Sequence, residues 1–143
     1  MNKIDWINEI SNVPLIERKN QLKTIYFLYE FLGDDKNIES RDYIYNLMVY
    51  KQLNPDWNIK IIRDKTDQVL NYVMTKFPRF TQMYQSYPKD IQRCDIFRYM
   101  LLYKEGGVYS DLDVNPQMSI NNMLNLTINN QDLSWANIIF GIG

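Results

Sequence analysis

Apolar and polar positions alternate along this chain in two different periods. Lys23 to Tyr29 reads KTIYFLY, a continuous run of β-branched and aromatic residues. A run of that length is what a strand buried on both faces requires, so it predicts the first core strand. Trp57 to Arg63, WNIKIIR, predicts a second strand. Between them the period changes to that of a helix. Ser40 is a suitable N-cap for a helix through about Gln52 with Ile44, Leu47 and Met48 on one face, and Asn54-Pro55 stops it. Thr66 to Lys76 predicts another helix, with Val69, Val73 and Phe77 four apart and Leu70 and Met74 beside them. Arg79 to Tyr87 is aromatic-rich and reads as irregular. Pro88 suits the first position of a helix to about Glu105 that buries Ile91, Cys94, Phe97 and Leu101, and Gly106 suits its C-terminal cap. Val108 to Ser110 is a short strand. Gln117 to Leu126 reads as a helix with Met118 and Met123 inward, and Trp135 to Phe140 as the start of a strand.

Strands alternating with helices predict an α/β fold with a mainly parallel sheet. Lys3 to Ile10 is periodic enough for a short amphipathic helix, so residues 1–22 are expected to be an N-terminal helical extension and residues 23–143 the main domain. No internal repeat is visible.

Composition narrows the function classes. The 143 residues contain 16 basic and 17 acidic side chains, a formal charge of -1 without a basic cluster. That pattern gives no sign of a nucleic-acid surface. The single cysteine, Cys94, excludes an intramolecular disulfide, and with no His to activate it as a nucleophile it reads as a core residue. The lack of His also removes the commonest general base, so any catalysis has to rest on carboxylates, Arg, Lys, Tyr and a hard metal ion. Met1 to Ile10 carries Asp5 and Glu9 and has no apolar core, and no apolar run is long enough to span a bilayer, so a cytoplasmic location is expected.

The candidate chemistry is concentrated between Asp95 and Pro116. A helix carrying Asp95 and Arg98, three apart on one face, runs into Gly106-Gly107. The strand that follows delivers Asp111 and Asp113. If the strand continues, alternation points both carboxylates to one site and turns Leu112 to the core. Two carboxylates at a strand end suit Mg²⁺ or Mn²⁺, which also take water and substrate phosphates as ligands. An EF-hand loop starts similarly but needs Gly at its sixth position and Glu at its twelfth, where this chain has Pro116 and Asn122.

These residues resemble the glycosyltransferase family with the DXD sugar-binding region, which includes outer-chain mannosyltransferases and capsular polysaccharide glycosyltransferases. Asp95-Ile96-Phe97-Arg98-Tyr99 through Gly106-Gly107-Val108-Tyr109-Ser110-Asp111-Leu112-Asp113 is similar to that family's D-x-x-R-Y…GG-x-Y-x-D-x-D core. Asn54-Pro55-Asp56-Trp57 is similar to its NPDW turn, and Lys23 to Tyr29 stands where the family opens with its first strand. The resemblance implies a GT-A-like (Rossmann-like) domain that binds a nucleotide-diphosphosugar, with its C-terminal part missing or short. It implies a hexosyltransferase that moves the sugar of a UDP- or GDP-sugar to a glycan or protein acceptor, with Mn²⁺ or Mg²⁺ as cofactor and retention of configuration. In those terms Asp113 and Asp111 hold the metal, and Asp95 and Arg98 bind the sugar and its phosphate. Tyr109 packs beside the donor, and Tyr29 stands at a base-stacking position. Asp111, Asp113 and Arg98 are the residues expected to be catalytic. The alternative is an inactive, truncated protein of the same fold with a binding or structural role.

Overall fold

A computed structural model describes residues 23–29, 41–63 and 67–127, without the side chains of 41–42 and 124–127. The expected helix at Lys3 to Ile10, the Ser40 cap and the strand at Trp135 to Phe140 lie outside the described residues. Three strands, β1 (Thr24–Tyr29), β2 (Asn58–Arg63) and β3 (Val108–Tyr109), form a sheet in the order β2-β1-β3. Both pairings are parallel, with Thr24 opposite Asn58 and Ile25 opposite Val108. The expected α/β class with a parallel sheet is therefore observed.

Every residue of β1 is buried, as the unbroken apolar run requires of a central strand covered on both faces. Helix α1 (Arg41–Leu53) packs Ile44, Leu47 and Tyr50 with Ile25, Phe27, Tyr29 and Ile61 on one face. Helices α2 (Gln68–Lys76) and α4 (Asp90–Glu105) cover the other face, where Val69, Tyr72, Val73, Phe97 and Leu101 meet Tyr26, Leu28 and Ile62. Tyr72 stands edge-on to Phe97 and donates a hydrogen bond to Glu105 Oε1 at 2.7 Å, which ties α2 to the end of α4.

Several boundaries differ from the expected ones. Residues 78–86 are not irregular: Pro78–Phe80 forms a 3-10 turn and Thr81–Ser86 a short helix, α3. Pro78 starts this unit as well as ending α2, since a missing N–H is harmless in a first turn. Pro88 lies outside α4, whose N-cap is Lys89, with Gln92 Oε1 accepting from the Lys89 amide at 3.3 Å. The last described helix, α5 (Ile120–Thr127), starts later than expected because the Ser119 hydroxyl accepts the Asn122 amide and caps it. Ile120 is then its inward residue, and Met118 and Met123 face out.

Met48, Met74 and Ile91 are also exposed, whereas Asn46 and Tyr50 take the inner positions of α1. A four-residue spacing identifies a helical face without saying which of two flanking apolar residues the sheet will cover. Among the described residues no helix is long and apolar enough to cross a membrane.

Candidate active site

The site begins with two glycines that let the chain turn from α4 into β3. Gly106 donates its amide to Leu102 O, and Gly106 and Gly107 have φ of 69° and 91°. Gly106 combines its positive φ with ψ of -163°, so it closes the helix in an extended, glycine-only conformation and not the expected left-handed one. At Gly107 a Cβ would stand 2.5 Å from Thr24 O, so β3 can approach β1 only because no side chain is there.

After Tyr109 the chain keeps one more sheet-like bond, Ser110 N–H to Tyr26 O at 3.1 Å, and then turns. Val114 N–H donates to Asp111 O at 3.2 Å and closes a β-turn over Asp111 to Val114. Asp111 and Asp113 are thus turn residues and not strand residues, which corrects the expectation that a continuing pleat aims them together. Alternation persists only to Leu112. Val108 and Leu112 pack toward α1, and Tyr109 packs toward α4.

Around Tyr109 four of the expected site residues converge. Arg98, on the inner side of α4, places its guanidinium carbon 4.7 Å from the Tyr109 ring centroid. Its Nη2 donates to Asp95 Oδ1, and its Nη1 is 3.7 Å from Asp111 Oδ1. The Tyr109 hydroxyl donates to the same Asp111 oxygen at 2.6 Å. Burial pushes the Tyr109 hydroxyl above its ordinary pKa, and the bond to Asp111 adds to that, so it stays a donor at neutral pH. Burial works against the Arg98 charge, but Tyr109, Asp111, Cys94 and Asp95 outweigh it and raise its pKa. Arg98 Nε is buried with no hydrogen-bond partner among the described residues.

Asp113 is exposed and makes no hydrogen bond or ion pair to a described residue. Tyr29 is not part of this cluster. It sits at the end of β1 on the α1 face, 7% exposed, with the Arg63 guanidinium carbon 5.1 Å over its ring. Cys94 is buried in the core, as expected, and burial raises its thiol pKa.

The donor set fits a hard cation of the Mg²⁺ or Mn²⁺ kind that shares its shell with phosphate and water. Among the described residues no three His, Cys, Asp or Glu side chains converge into an all-protein cage. Two exposed carboxylates in one turn are what a cation bound partly by substrate phosphates needs. The turn also stands at a favourable place in the sheet. In a 2-1-3 strand order the crevice beyond the carboxyl ends of the first and third strands is where open α/β sheets bind ligands.

Sequence reasoning missed what supports the turn. Asn46, Tyr50 and Asn54 recur every four residues along α1 and its last turn. Asn46 Nδ2 donates to Leu112 O at 3.0 Å, and the Tyr50 hydroxyl and Ser110 Oγ are 2.6 Å apart. Asn54 Oδ1 accepts the Ile120 amide at 2.7 Å. The signal was present, as a polar row on the face of α1 that also holds Ile44 and Leu47.

Comparison with known proteins finds a family match and related mannosyltransferases. The family model described as the glycosyltransferase sugar-binding region containing the DXD motif matches residues 40–132. The chain is 38% identical over 72 residues to inositol phosphoceramide mannosyltransferase 3 of Schizosaccharomyces pombe, covering 50% of this chain and 20% of that protein. It is 31% identical over 101 residues to the initiation-specific alpha-1,6-mannosyltransferase of Candida albicans, covering 70% and 26%. Inositol phosphoceramide mannosyltransferase 2 of Schizosaccharomyces pombe is 32% identical over 124 residues, covering 85% and 32%. The matched part of the chain thus spans a third or less of the length of these relatives. No solved structure matches it.

Proposed function

The chain belongs to the glycosyltransferase family whose sugar-binding region contains the DXD motif, and on that premise we propose that it binds a nucleotide-diphosphosugar and transfers the sugar to an acceptor hydroxyl. The observation that carries this reading is the Arg98–Tyr109–Asp111 cluster beside an exposed Asp113, at the carboxyl end of β3. The sugar proposed is mannose, after the names of the relatives, and the donor is its GDP or UDP ester. Retention of configuration and a glycan or protein acceptor belong to the same proposal.

The difficult part of such a transfer is departure of a nucleotide diphosphate, whose charge grows as the sugar–oxygen bond breaks. Fixed positive charge at that oxygen lowers the barrier because it is aimed before the reaction begins. Arg98 is suited to this role. Its charge is permanent, and the Tyr109 ring and Asp95 hold its plane. Asp95 is the more exposed partner and can also accept from a sugar hydroxyl. Tyr109 occupies one oxygen of Asp111 and so directs the other outward. Asp111 and Asp113 are the residues to hold Mn²⁺ or Mg²⁺, and such an ion supplies charge neutralisation on the diphosphate when bound. A carboxylate or a donor phosphate oxygen is suited to take the acceptor proton.

A thermal-shift series with GDP-mannose, UDP-glucose and other nucleotide sugars, each with and without Mn²⁺, tests the reading. A ligand that binds only the native state stabilises it by mass action, by about 2.7 kcal/mol at a hundred times its Kd, and so raises the melting temperature. The expected result is a shift that needs both Mn²⁺ and one class of nucleotide sugar, largest for the mannose ester. No shift with any pair overturns the proposal in favour of a binding or structural role for the fold.

A further inference from the structure

We infer that Asn46 is a positioning residue for the carboxylate turn, setting the direction of Asp113 by holding the peptide group that precedes it. The inference rests on reading Asp111 and Asp113 as the cation–diphosphate site.

Asn46 is 6% exposed, on the face of α1 that also holds Ile44 and Leu47. A buried carboxamide is costly unless it is hydrogen-bonded, and its bond to Leu112 O crosses 66 residues of sequence. The acceptor's place in the turn matters more than the bond's existence. The turn runs from Asp111 to Val114, so the carbonyl of Leu112 belongs to its central peptide, the one that joins Leu112 to Asp113. In a β-turn this peptide is the part free to flip. The two orientations, types I and II, differ by about 150° in ψ of the second residue and by a change in sign of φ at the third.

Asp113 is the third residue, and its φ is not positive. A flip would force it to positive φ and point its carboxylate elsewhere. Asparagine and aspartate tolerate that conformation better than other side chains, so residue type alone does not prevent the flip. The Asn46 amide does, because it fixes the Leu112 carbonyl against α1. Tyr50 secures the entry to the turn at Ser110, and Asn54 holds the Ile120 amide, well past the turn's end at Val114. Among the described residues only Asn46 holds the peptide that precedes Asp113. Asn46 thus stands to the metal site as an outer-shell partner does to a ligand, touching neither donor nor ion.

The test compares Asn46→Ala and Asn46→Asp with Asn54→Ala. Either change at Asn46 removes the donor; the alanine variant keeps the test open if a buried aspartate fails to fold. Asn54→Ala removes two buried bonds of the same row, away from the turn's central peptide. Two quantities are read on the whole chain: the Mn²⁺ dissociation constant with GDP or UDP present, by electron paramagnetic resonance, and the Leu112 Hα to Asp113 amide NOE, by NMR, which is weak in the observed peptide orientation and strong in the flipped one. Asn46→Ala should weaken Mn²⁺ binding roughly tenfold to a hundredfold and strengthen that NOE. Asn54→Ala should lower the melting temperature and leave the Mn²⁺ constant within about twofold, as a merely structural loss does. Unchanged Mn²⁺ affinity or an unchanged NOE in Asn46→Ala overturns the inference, and so does an equal loss of affinity in Asn54→Ala. If the wild-type chain itself binds no Mn²⁺ with either nucleotide, the donor-site reading fails together with the role built on it. That failure is distinct, because it is silent before any substitution is made.

Discussion

Asp113 and Asp111 differ in a way that the DXD pattern conceals. Asp111 is held by Tyr109 and lies 3.7 Å from Arg98, whereas Asp113 is exposed and has no described partner. Removing Asp113 therefore deletes a charge that the folded protein does not use for its own cohesion. Asp113→Ala should change stability by less than about 0.5 kcal/mol and abolish the Mn²⁺-dependent thermal shift with donor. Normal donor binding by that variant in Mn²⁺ would show the assignment to be wrong. Arg98 is the opposite case. Lysine keeps the charge but loses the flat face that stacks on Tyr109 and the fork that reaches Asp95. Arg98→Lys should weaken donor binding by about 2 kcal/mol, roughly thirtyfold, measured by titration calorimetry with Mn²⁺. An affinity within a factor of two of wild type would remove Arg98 from the site.

At the scale of elements, the decisive joint is the one between α4 and β3. The strand has only two residues, and its place beside β1 depends on Gly107 lying against the Thr24 carbonyl. Gly107→Ala adds a Cβ at positive φ against backbone that has no rotamer to yield. The expected cost is at least about 2 kcal/mol, read from urea denaturation, with loss of Mn²⁺-dependent donor binding at temperatures where the chain remains folded. Gly106→Ala lacks that clash and should cost less. Much of the element plan was legible in sequence. The apolar run of β1, the periodicity of α2 and α4 and the double glycine each state a local preference that the fold keeps. What sequence misplaced were positions with two acceptable outcomes. Ile91 can serve on either side of a helix start, and the segment after Pro78 has no strong period. The DXD segment could continue a pleat or turn, and the turn prevails through Val114 and α1.

At the scale of the whole molecule, the fold holds the hydroxyls of Tyr50, Tyr72 and Tyr109, among the described residues, in their protonated form. Burial raises the pKa of Tyr72, and the bond it donates to Glu105 raises it further; burial and Asp111 do the same for Tyr109. Burial also raises Tyr50, against the lowering effect of Ser110. In the unfolded chain these groups lose their protons near the ordinary tyrosine value of 10.0, while the folded chain keeps them. Above that pH the native state binds more protons than the unfolded one, so stability falls as pH rises, and below it these groups leave stability level. Each contributes up to about 1.4 kcal/mol per pH unit. The urea midpoint should therefore drop steeply between about pH 10 and 12, and less steeply in Tyr72→Phe. A midpoint flat across that range would contradict the burial of these hydroxyls.

The sequence by itself determined the α/β class, the parallel sheet and the central place of β1, and it named the candidate residues of the site. It could do so because strand burial, helical period and glycine requirements act over a few neighbouring residues. The tertiary structure decided which of the candidate residues meet. Arg98, Tyr109 and Asp111 join because α4 packs on the face of the sheet to which Tyr109 points, and Tyr29 is taken to the opposite face by the same alternation along β1. It also decided that Asp113 stands on a turn gripped by Asn46, a contact that spans 66 residues. The polar row on α1 marks Asn46 locally but not its partner, since the energy of the pairing exists only once α1 and the turn are packed against the same sheet.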